Sequence, residues 1–340
     1  MLRNVAVPGL LMGCDNGGAT MVPHSLAATT DPYRCSPTTP QSQMRSLSGL
    51  SRLIAASRLP GLSMRAENAV AAERPLRVLP TATTFKVATT MHRFSVRALL
   101  VQNRGDDELL GIITDRDVLS RAQEADIGAQ DLMSSDFIVG SERWPLEQCL
   151  RRMADARQCH LPIVGMGGKV NALLSKHDIC RALVRSLIEG VRPAEPATVG
   201  DVCMAAESPS ICRVVPDETI LGAVERMRSC RTTSVVVDGA HSGMVEGLFT
   251  RRDFITALAS SGGRSWLKAP VSEHLAPTSQ VVHVEPSCPV FEAFTLLAQK
   301  DASHAIVVGA HLPQASPEAS SAVLGVISMG ELLRYVLDYA

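Results

Sequence analysis

Gly111-Ile112-Ile113-Thr114-Asp115-Arg116-Asp117-Val118-Leu119 is the stretch on which the fold turns. It reads as a short buried strand, a threonine, and the first turn of a helix. The chain writes the same phrase three more times. Ala172-Leu173-Leu174-Ser175-Lys176-His177-Asp178-Ile179-Cys180 is the second copy and Gly247-Leu248-Phe249-Thr250-Arg251-Arg252-Asp253-Phe254-Ile255 the third. Gly325-Val326-Ile327-Ser328-Met329-Gly330-Glu331-Leu332-Leu333 is the fourth. The copies stand roughly 60 to 80 residues apart, too far for a solenoid repeat but right for a small α/β unit. Each runs from apolar residues to Ser or Thr, then to Asp or Glu three residues on, then to apolar residues again.

Two readings of this pattern stay open. In one, Ser or Thr caps a helix and the acid completes a capping box, which stabilises a helix by about 1 kcal/mol and needs no ligand. In the other, the strand end and helix start form a ligand cradle. The hydroxyl and the free helix N–H groups suit a phosphate, and the carboxylate suits vicinal ribose hydroxyls. Asp in three copies favours the cradle, because a capping box prefers Glu or Gln at that position.

The segments resemble the closing strand-and-helix motif of the cystathionine β-synthase (CBS) domain, a nucleotide-sensing module. Gly111, Thr114, Arg116 and Asp117 carry the resemblance, with Thr250, Arg252 and Asp253, and with Ser175 and Asp178; Ser328 and Glu331 match less closely. CBS domains work in tandem pairs called Bateman modules. The resemblance therefore implies an α/β (α+β) chain of four β-α-β-β-α repeats in two modules, over roughly residues 70 to 340. Module 1 is expected over 67–190, with repeats at about 75–126 and 127–190. Module 2 is expected over 197–340, with repeats at about 197–262 and 269–340.

Composition narrows the function. Hydrophobic residues make up 46% of the 340 and aromatics only 4%, so the cores are aliphatic. A formal net charge of −1 argues against nucleic acid as the main partner. No uncharged apolar run approaches the roughly 18 residues that span a membrane. Nine scattered Cys with no C-x-x-C argue against a zinc site or a disulfide scaffold and read as reduced thiols.

Residues 1–66 have another character. They hold Arg3, Arg34, Arg45, Arg52, Arg58 and Arg65, no Lys, and only Asp15 and Asp31 as acids. Arg-rich, Ser-rich and acid-poor is the composition of an organelle transit peptide. The segment is expected to be a disordered extension with a mitochondrial address, a plastid or cytoplasmic location being the alternatives.

Along the repeats, the patterning predicts a helix over 82–92 with Thr83 and Thr84 near its start, a buried strand over 97–101, and a hairpin return over 109–113. In the second repeat it predicts a strand at Phe137-Ile138-Val139, Pro145 in the first turn of a helix, and a core face of Leu146, Cys149, Leu150 and Met153. Gly165 to Lys169 is a hairpin turn, since it lacks the spacing of a phosphate loop. Residues 191–196 are the expected linker between modules, and 311–321 an expected mobile insertion in the last hairpin.

The chain is also similar to the γ subunit of AMP-activated protein kinase, in which a basic residue just before the second-to-last strand helps hold nucleotide phosphates. That register puts Arg97, His160, Thr233 and His304 at equivalent points. A histidine there, with its ordinary pKa near 6.5, is expected to hold phosphate better at lower pH. The resemblance then implies ribose contacts from Asp117, Asp178 and Asp253, and phosphate contacts from Thr114, Ser175, Thr250, Arg97 and His160, with Arg116 and Arg252 beside them. Ser328, Glu331 and His304 form a weaker fourth site, so the first and third motifs are expected to matter before the fourth.

No nucleophile elbow, H-E-x-x-H or dinucleotide fingerprint is present in the sequence. The expected function is non-catalytic: a regulatory protein that needs no cofactor, binds AMP, ADP, ATP or a related adenosyl ligand, and signals to a protein partner, as a monomer or a homodimer. The alternatives are a scaffold whose CBS clefts are empty and a kinase-type γ regulatory subunit.

Overall fold

A computed structural model of the chain describes residues 60–70, 75–105, 108–124, 127–188, 197–205, 211–239, 245–261, 264–275, 281–309 and 323–339. The expected linker, the expected insertion and all but the last few residues of the N-terminal extension lie outside them.

The first repeat runs β1 (Arg77–Val78), α2 (Thr84–Arg93), β2 (Ala98–Gln102), β3 (Leu109–Thr114) and α3 (Asp115–Ser120), with a leading turn α1 (Ala66–Ala69). The second is α4 (Ala129–Leu132), β4 (Gly140–Ser141), α5 (Leu146–Asp155), β5 (His160–Val164), β6 (Val170–Ser175) and α6 (Lys176–Ile188). The third is α7 (Val199–Ala205), β7 (Arg213–Val214), α8 (Ile220–Ser229), β8 (Ser234–Asp238), β9 (Val245–Thr250) and α9 (Arg251–Ser260). The fourth has a 3-10 turn at Val271–His274, then β10 (Val282–Val284), α10 (Val290–Gln299), β11 (His304–Val308), β12 (Val323–Ser328) and α11 (Met329–Tyr339). Each repeat forms its own three-stranded sheet, with a parallel outer strand beside an antiparallel hairpin. Each hairpin slips register at the same point: Val101/Gln102, Ile163/Val164, Val237/Asp238 and Val307/Val308.

The middle strands are apolar through their centres, Leu99–Val101, Leu161–Ile163, Val235–Val237 and Ala305–Val307, because both of their faces are buried there. Along β2, Leu99 and Val101 join the helices, whereas Ala98 and Leu100 face the second repeat's sheet beside Leu173. Val236 and Leu248 meet Val281 and Ile306 in the same way between repeats three and four. The helices then pair across modules. Repeats one and three share one core through residues such as Met91, Val118, Phe249 and Phe254. Repeats two and four share another through Leu150, Ile179, Phe294 and Leu333.

The leading turn of each repeat crosses to its companion. Backbone bridges join Arg65 to Pro145, Thr83 to Gly128, Thr198 to Pro289 and Thr219 to Pro270. The first of these contacts involves the end of the expected N-terminal extension. Pro60–Ser63 forms a 3-10 turn, and Leu62 and Ala66 enter the core against α5 and α6.

Local expectations mostly hold. Thr83 caps α2 by accepting from Lys86 N at 3.2 Å, while Thr84 Oγ1 donates to Ile127 O. Leu146, Cys149, Leu150 and Met153 are buried, but Pro145 is the residue before the helix and not in its first turn. The strand expected over 137–139 is not one. Ile138 N donates to Gln158 Oε1 at 3.3 Å, and the strand is made directly after that span by Gly140–Ser141. Gly111 is required where it stands: a Cβ there would lie 2.6 Å from Met133 Sδ. The seven described cysteines form no disulfide with one another, and burial pushes Cys149 up to about 11 and Cys180 up to about 12, which leaves both as unreactive core thiols.

Candidate functional site: a central chamber

The closing strand-and-helix motif of each repeat contributes residues to one cavity. The local chemistry is a cap in every copy. Thr114 N and Oγ1 both donate to Asp117 Oδ2, at 2.7 and 2.6 Å. Ser175 does the same to Asp178 Oδ2 at 2.8 and 2.6 Å, and Thr250 to Asp253 Oδ2 at 2.7 Å from each atom. In the fourth copy Ser328 N donates to Glu331 Oε2 at 2.7 Å, and Glu331 N donates back to Ser328 Oγ. Capping and ligand binding are compatible here. Each Asp spends one oxygen on the cap. For Asp117 the other oxygen accepts no hydrogen bond among the described residues, so it remains available to a ligand hydroxyl.

The motifs line one cavity of about 1040 Å³ reached by all four repeats. Thr114, Arg116, Asp117, Ser175, Asp178, Arg252, Ser328 and Glu331 are on its wall, as are Arg97, His160, Thr233 and His304. Thr250 and Asp253 are not. Desolvation holds the Asp253 carboxyl above its usual range, although Thr250 pulls it back. Of the two motifs expected to matter most, the first puts its hydroxyl and its acid on the chamber wall, whereas the third reaches it only through Arg251 and Arg252; the fourth, expected to be weakest, brings both Ser328 and Glu331.

The register of the basic position also needs correction. Strand pairing sets His160 opposite Ser175 and His304 opposite Ser328, but Ala98 opposite Thr114 and Ser234 opposite Thr250. Arg97 and Thr233 therefore sit one residue earlier than the two histidines. All four still reach the cavity, from two adjacent positions and not from one.

The histidines do not supply charge. Burial pushes His160 down to about 4, with Arg97 adding to the effect and Asp115 opposing it. Burial, with Arg251 and Arg97, pushes His304 down to about 3. Both are neutral at pH 7, and burial moves the acid range in which either would carry charge from below 6.5 to below about 4. His304 Nε2 is hydrogen-bonded to Thr233 Oγ1 at 2.6 Å and its Nδ1 to Ser303 Oγ at 3.0 Å. His160 Nδ1 and His177 Nε2 are buried without a hydrogen-bond partner among the described residues.

Charge comes from Arg97, Arg116 and Arg252, named from the sequence, and from others that motif reading passed over. Nine Lys and Arg line the cavity against six Asp and Glu, so it is cationic within a molecule of net charge −1. Lys176 and Arg251 stand directly after the motif hydroxyl. Arg251 pairs with Asp115 at 3.1 Å, and Arg252 pairs with Asp301. Arg97 is different: among the described residues it has no carboxylate within salt-bridge distance. Desolvation and the nearby Arg252 push its guanidinium down to about 10, against the pull of Asp115 and Asp301, so it stays charged at neutral pH.

A second ring was also missed. After α2, α5, α8 and α10 the chain turns through a left-handed residue: Ser95 at φ 51°, Arg157 at 53°, Arg231 at 52° and Asp301 at 48°. Glycine is preferred at this position. All four line the cavity. The signal for them was in the sequence, two or three residues before the basic position in each repeat.

Among the described residues there is no cluster that holds a metal ion and no helix long and apolar enough to cross a membrane.

Comparison with known proteins agrees with this architecture. The family model for the CBS domain matches residues 68–124, 129–185, 199–260 and 271–338. The chain is 31% identical over 105 residues to an uncharacterized protein of Methanopyrus kandleri, covering 29% of this chain and 53% of that protein, so it spans about half the length of that relative. It is 30% identical over 133 residues to an uncharacterized 17.7 kDa protein of Acidianus ambivalens, covering 37% of this chain and 79% of that one. The fold is similar to that of a Methanocaldococcus jannaschii protein described as a proposed archaeal homolog of g-AMPK, with a TM-score of 0.64 and 17% identity over 80% of this chain and 99% of that one. With four matched repeats that make up most of its length, the chain belongs to the CBS-domain family.

Proposed function

We propose that this protein is a non-catalytic regulator that binds an adenine nucleotide, or a related adenosyl ligand, in the central chamber and passes its bound state to a partner protein. Arg97 carries the reading. A desolvated guanidinium with no carboxylate partner among the described residues is costly to keep, and an anionic ligand offsets that cost. Lys176 lines the same chamber and can share a phosphate, and the free oxygen of Asp117 accepts from a ribose hydroxyl. The chamber is lined by all four repeats, so one ligand touches both modules and can favour one arrangement of them.

Calorimetric titration of the full chain with AMP, ADP, ATP and S-adenosylmethionine tests the proposal. A micromolar site corresponds to about −8 kcal/mol, and Arg97→Leu should weaken the bound ligand about 100-fold while leaving the protein folded. The completeness of the capping boxes favours a second reading, a scaffold with empty clefts. Failure of every nucleotide to bind folded, nucleotide-free protein would select it. A kinase partner would be a narrower form of the regulatory reading. The mitochondrial address proposed for residues 1–66 is tested by fusing that segment to a fluorescent protein.

A further inference from the structure

Asp301 is the one carboxylate on the ring of left-handed residues; its counterparts are Ser95, Arg157 and Arg231. Its side chain is gripped from two other repeats. Arg252 of the third repeat donates to its carboxylate and, at 2.8 Å, to its backbone carbonyl. Arg181 of the second repeat donates to Oδ1 at 3.1 Å, and His177 Nε2 stands 3.8 Å from the same oxygen. Arg97 lies within electrostatic range of both Asp301 and Arg252. Two guanidiniums and an imidazole converging on one oxyanion is a seat for a phosphate, and the chain fills it with its own carboxylate. The occupant is displaceable: Asp301 is 42% exposed and Arg181 51%, and ion pairs that wet are weak.

We propose that Asp301 is a built-in stand-in for a phosphate, which occupies the Arg181–Arg252 seat and makes the chamber select ligands with a single anionic group over ligands with polyphosphate tails. A first phosphate can meet Arg97 without disturbing Asp301. Second and third phosphates compete with it for the same donors. Displacing it also breaks the Arg181 and Arg252 contacts from the second and third repeats to the fourth, so a polyphosphate ligand would change a contact between repeats that a monophosphate leaves intact. The inference rests on the reading of the chamber as a nucleotide site, but its test does not need adenine.

The probe is inorganic tripolyphosphate, titrated beside AMP into the full chain and into the variants Asp301→Asn and Asp301→Gly. Asparagine tolerates the left-handed conformation and glycine relieves it, so both variants keep the turn while removing the charge. Both are expected to bind tripolyphosphate at least tenfold more tightly than the parent, about 1.4 kcal/mol, with AMP changed less than threefold. Equal tripolyphosphate affinity in all three proteins, no tripolyphosphate binding by any of them, or an equal gain for AMP would overturn the proposal. A gain by glycine alone would assign the effect to the backbone and overturn it too. If AMP binds none of the three but the tripolyphosphate gain appears, the seat is real and the adenine reading fails. If AMP binds and the gain is absent, the reverse holds.

Discussion

Directly after the motif hydroxyl, the first and third repeats carry Asp115 and Arg251, and the second and fourth carry Lys176 and Met329. Opposite that hydroxyl the odd repeats place Ala98 and Ser234, and the even repeats His160 and His304. The hydroxyl itself is threonine in the odd repeats and serine in the even ones. In the hydroxyl and the residue opposite it, odd repeats resemble each other, as do even ones, although chain order pairs one with two and three with four; directly after the hydroxyl all four differ. The likeness follows the shared cores, one joining repeats one and three and the other joining two and four. A repeat is tuned to the neighbour whose helices it touches, and the two halves meet the chamber with different chemistry: an ion pair on the odd side, neutral imidazoles on the even side.

The odd side is the place to break this comparison with the largest effect. The Asp115 and Arg251 side chains are only 9% and 18% exposed, and Asp115 also faces Arg97. Asp115→Asn leaves two cations uncompensated and should cost about 3 kcal/mol. The measurement is the urea midpoint at constant slope. Importing the even side's methionine in Asp115→Asn/Arg251→Met should recover much of the loss. An unchanged midpoint for Asp115→Asn would mean that the pair does not hold the odd side together.

The even side should respond to pH instead. His160, His177 and His304 are held at about 4, about 3 and about 3, below the ordinary histidine value near 6.5. Their neutral forms favour the folded state. The unfolded chain binds more protons between those values, so stability is complete above pH 6.5 and falls as pH drops toward 4. Each histidine contributes a slope of at most about 1.4 kcal/mol per pH unit. His304→Gln should flatten the acid limb by one such contribution and leave stability at pH 8 less affected. Equal slopes in both proteins would show that His304 is not held neutral.

Most of the fold was legible because repetition is a global signal. Four copies of strand, hydroxyl, acid and helix fix four units, and apolar runs flanking each copy fix their strands. Side-chain competition with the backbone was not legible: Gln158 takes the amide that a strand at Phe137–Val139 would have paired. Leu62 and Ala66 were hidden inside a segment whose composition is otherwise that of a tail. At the chamber, motif matching found the residues that cap helices, since capping is local. It missed Asp301, Arg181 and Arg251, whose partners lie in other repeats, and it ranked Asp253 above Glu331, although of the two only Glu331 borders the cavity.

Asp117 and Asp253 sharpen that last point by about 1 kcal/mol. Both complete a capping box, so Asp117→Ala and Asp253→Ala should each lower stability by about 1 kcal/mol. Only Asp117 borders the cavity. Asp117→Ala should also weaken nucleotide binding about tenfold, with Asp253→Ala leaving it unchanged for the folded fraction. Matching affinity losses in calorimetry would mean that the third motif reaches the ligand after all.

The smallest expected effect separates the ring of left-handed residues by what they hold. A non-glycine residue in this conformation costs roughly 1–2 kcal/mol, part of which glycine returns as entropy lost on folding. Ser95 ends α2 with its amide on His92 O and the next amide on Met91 O, a closed turn that needs nothing from the serine side chain. Ser95→Gly should therefore stabilise the protein by about 0.5 kcal/mol, read as a slower unfolding rate or a higher urea midpoint. Asp301→Gly makes the same backbone change at the equivalent turn but also breaks the contacts to Arg181 and Arg252. Its gain should be smaller or absent in ligand-free protein. If the two substitutions stabilise equally, the carboxylate of Asp301 contributes nothing to joining the fourth repeat to the second and third, and the asymmetry of the ring is one of strain alone.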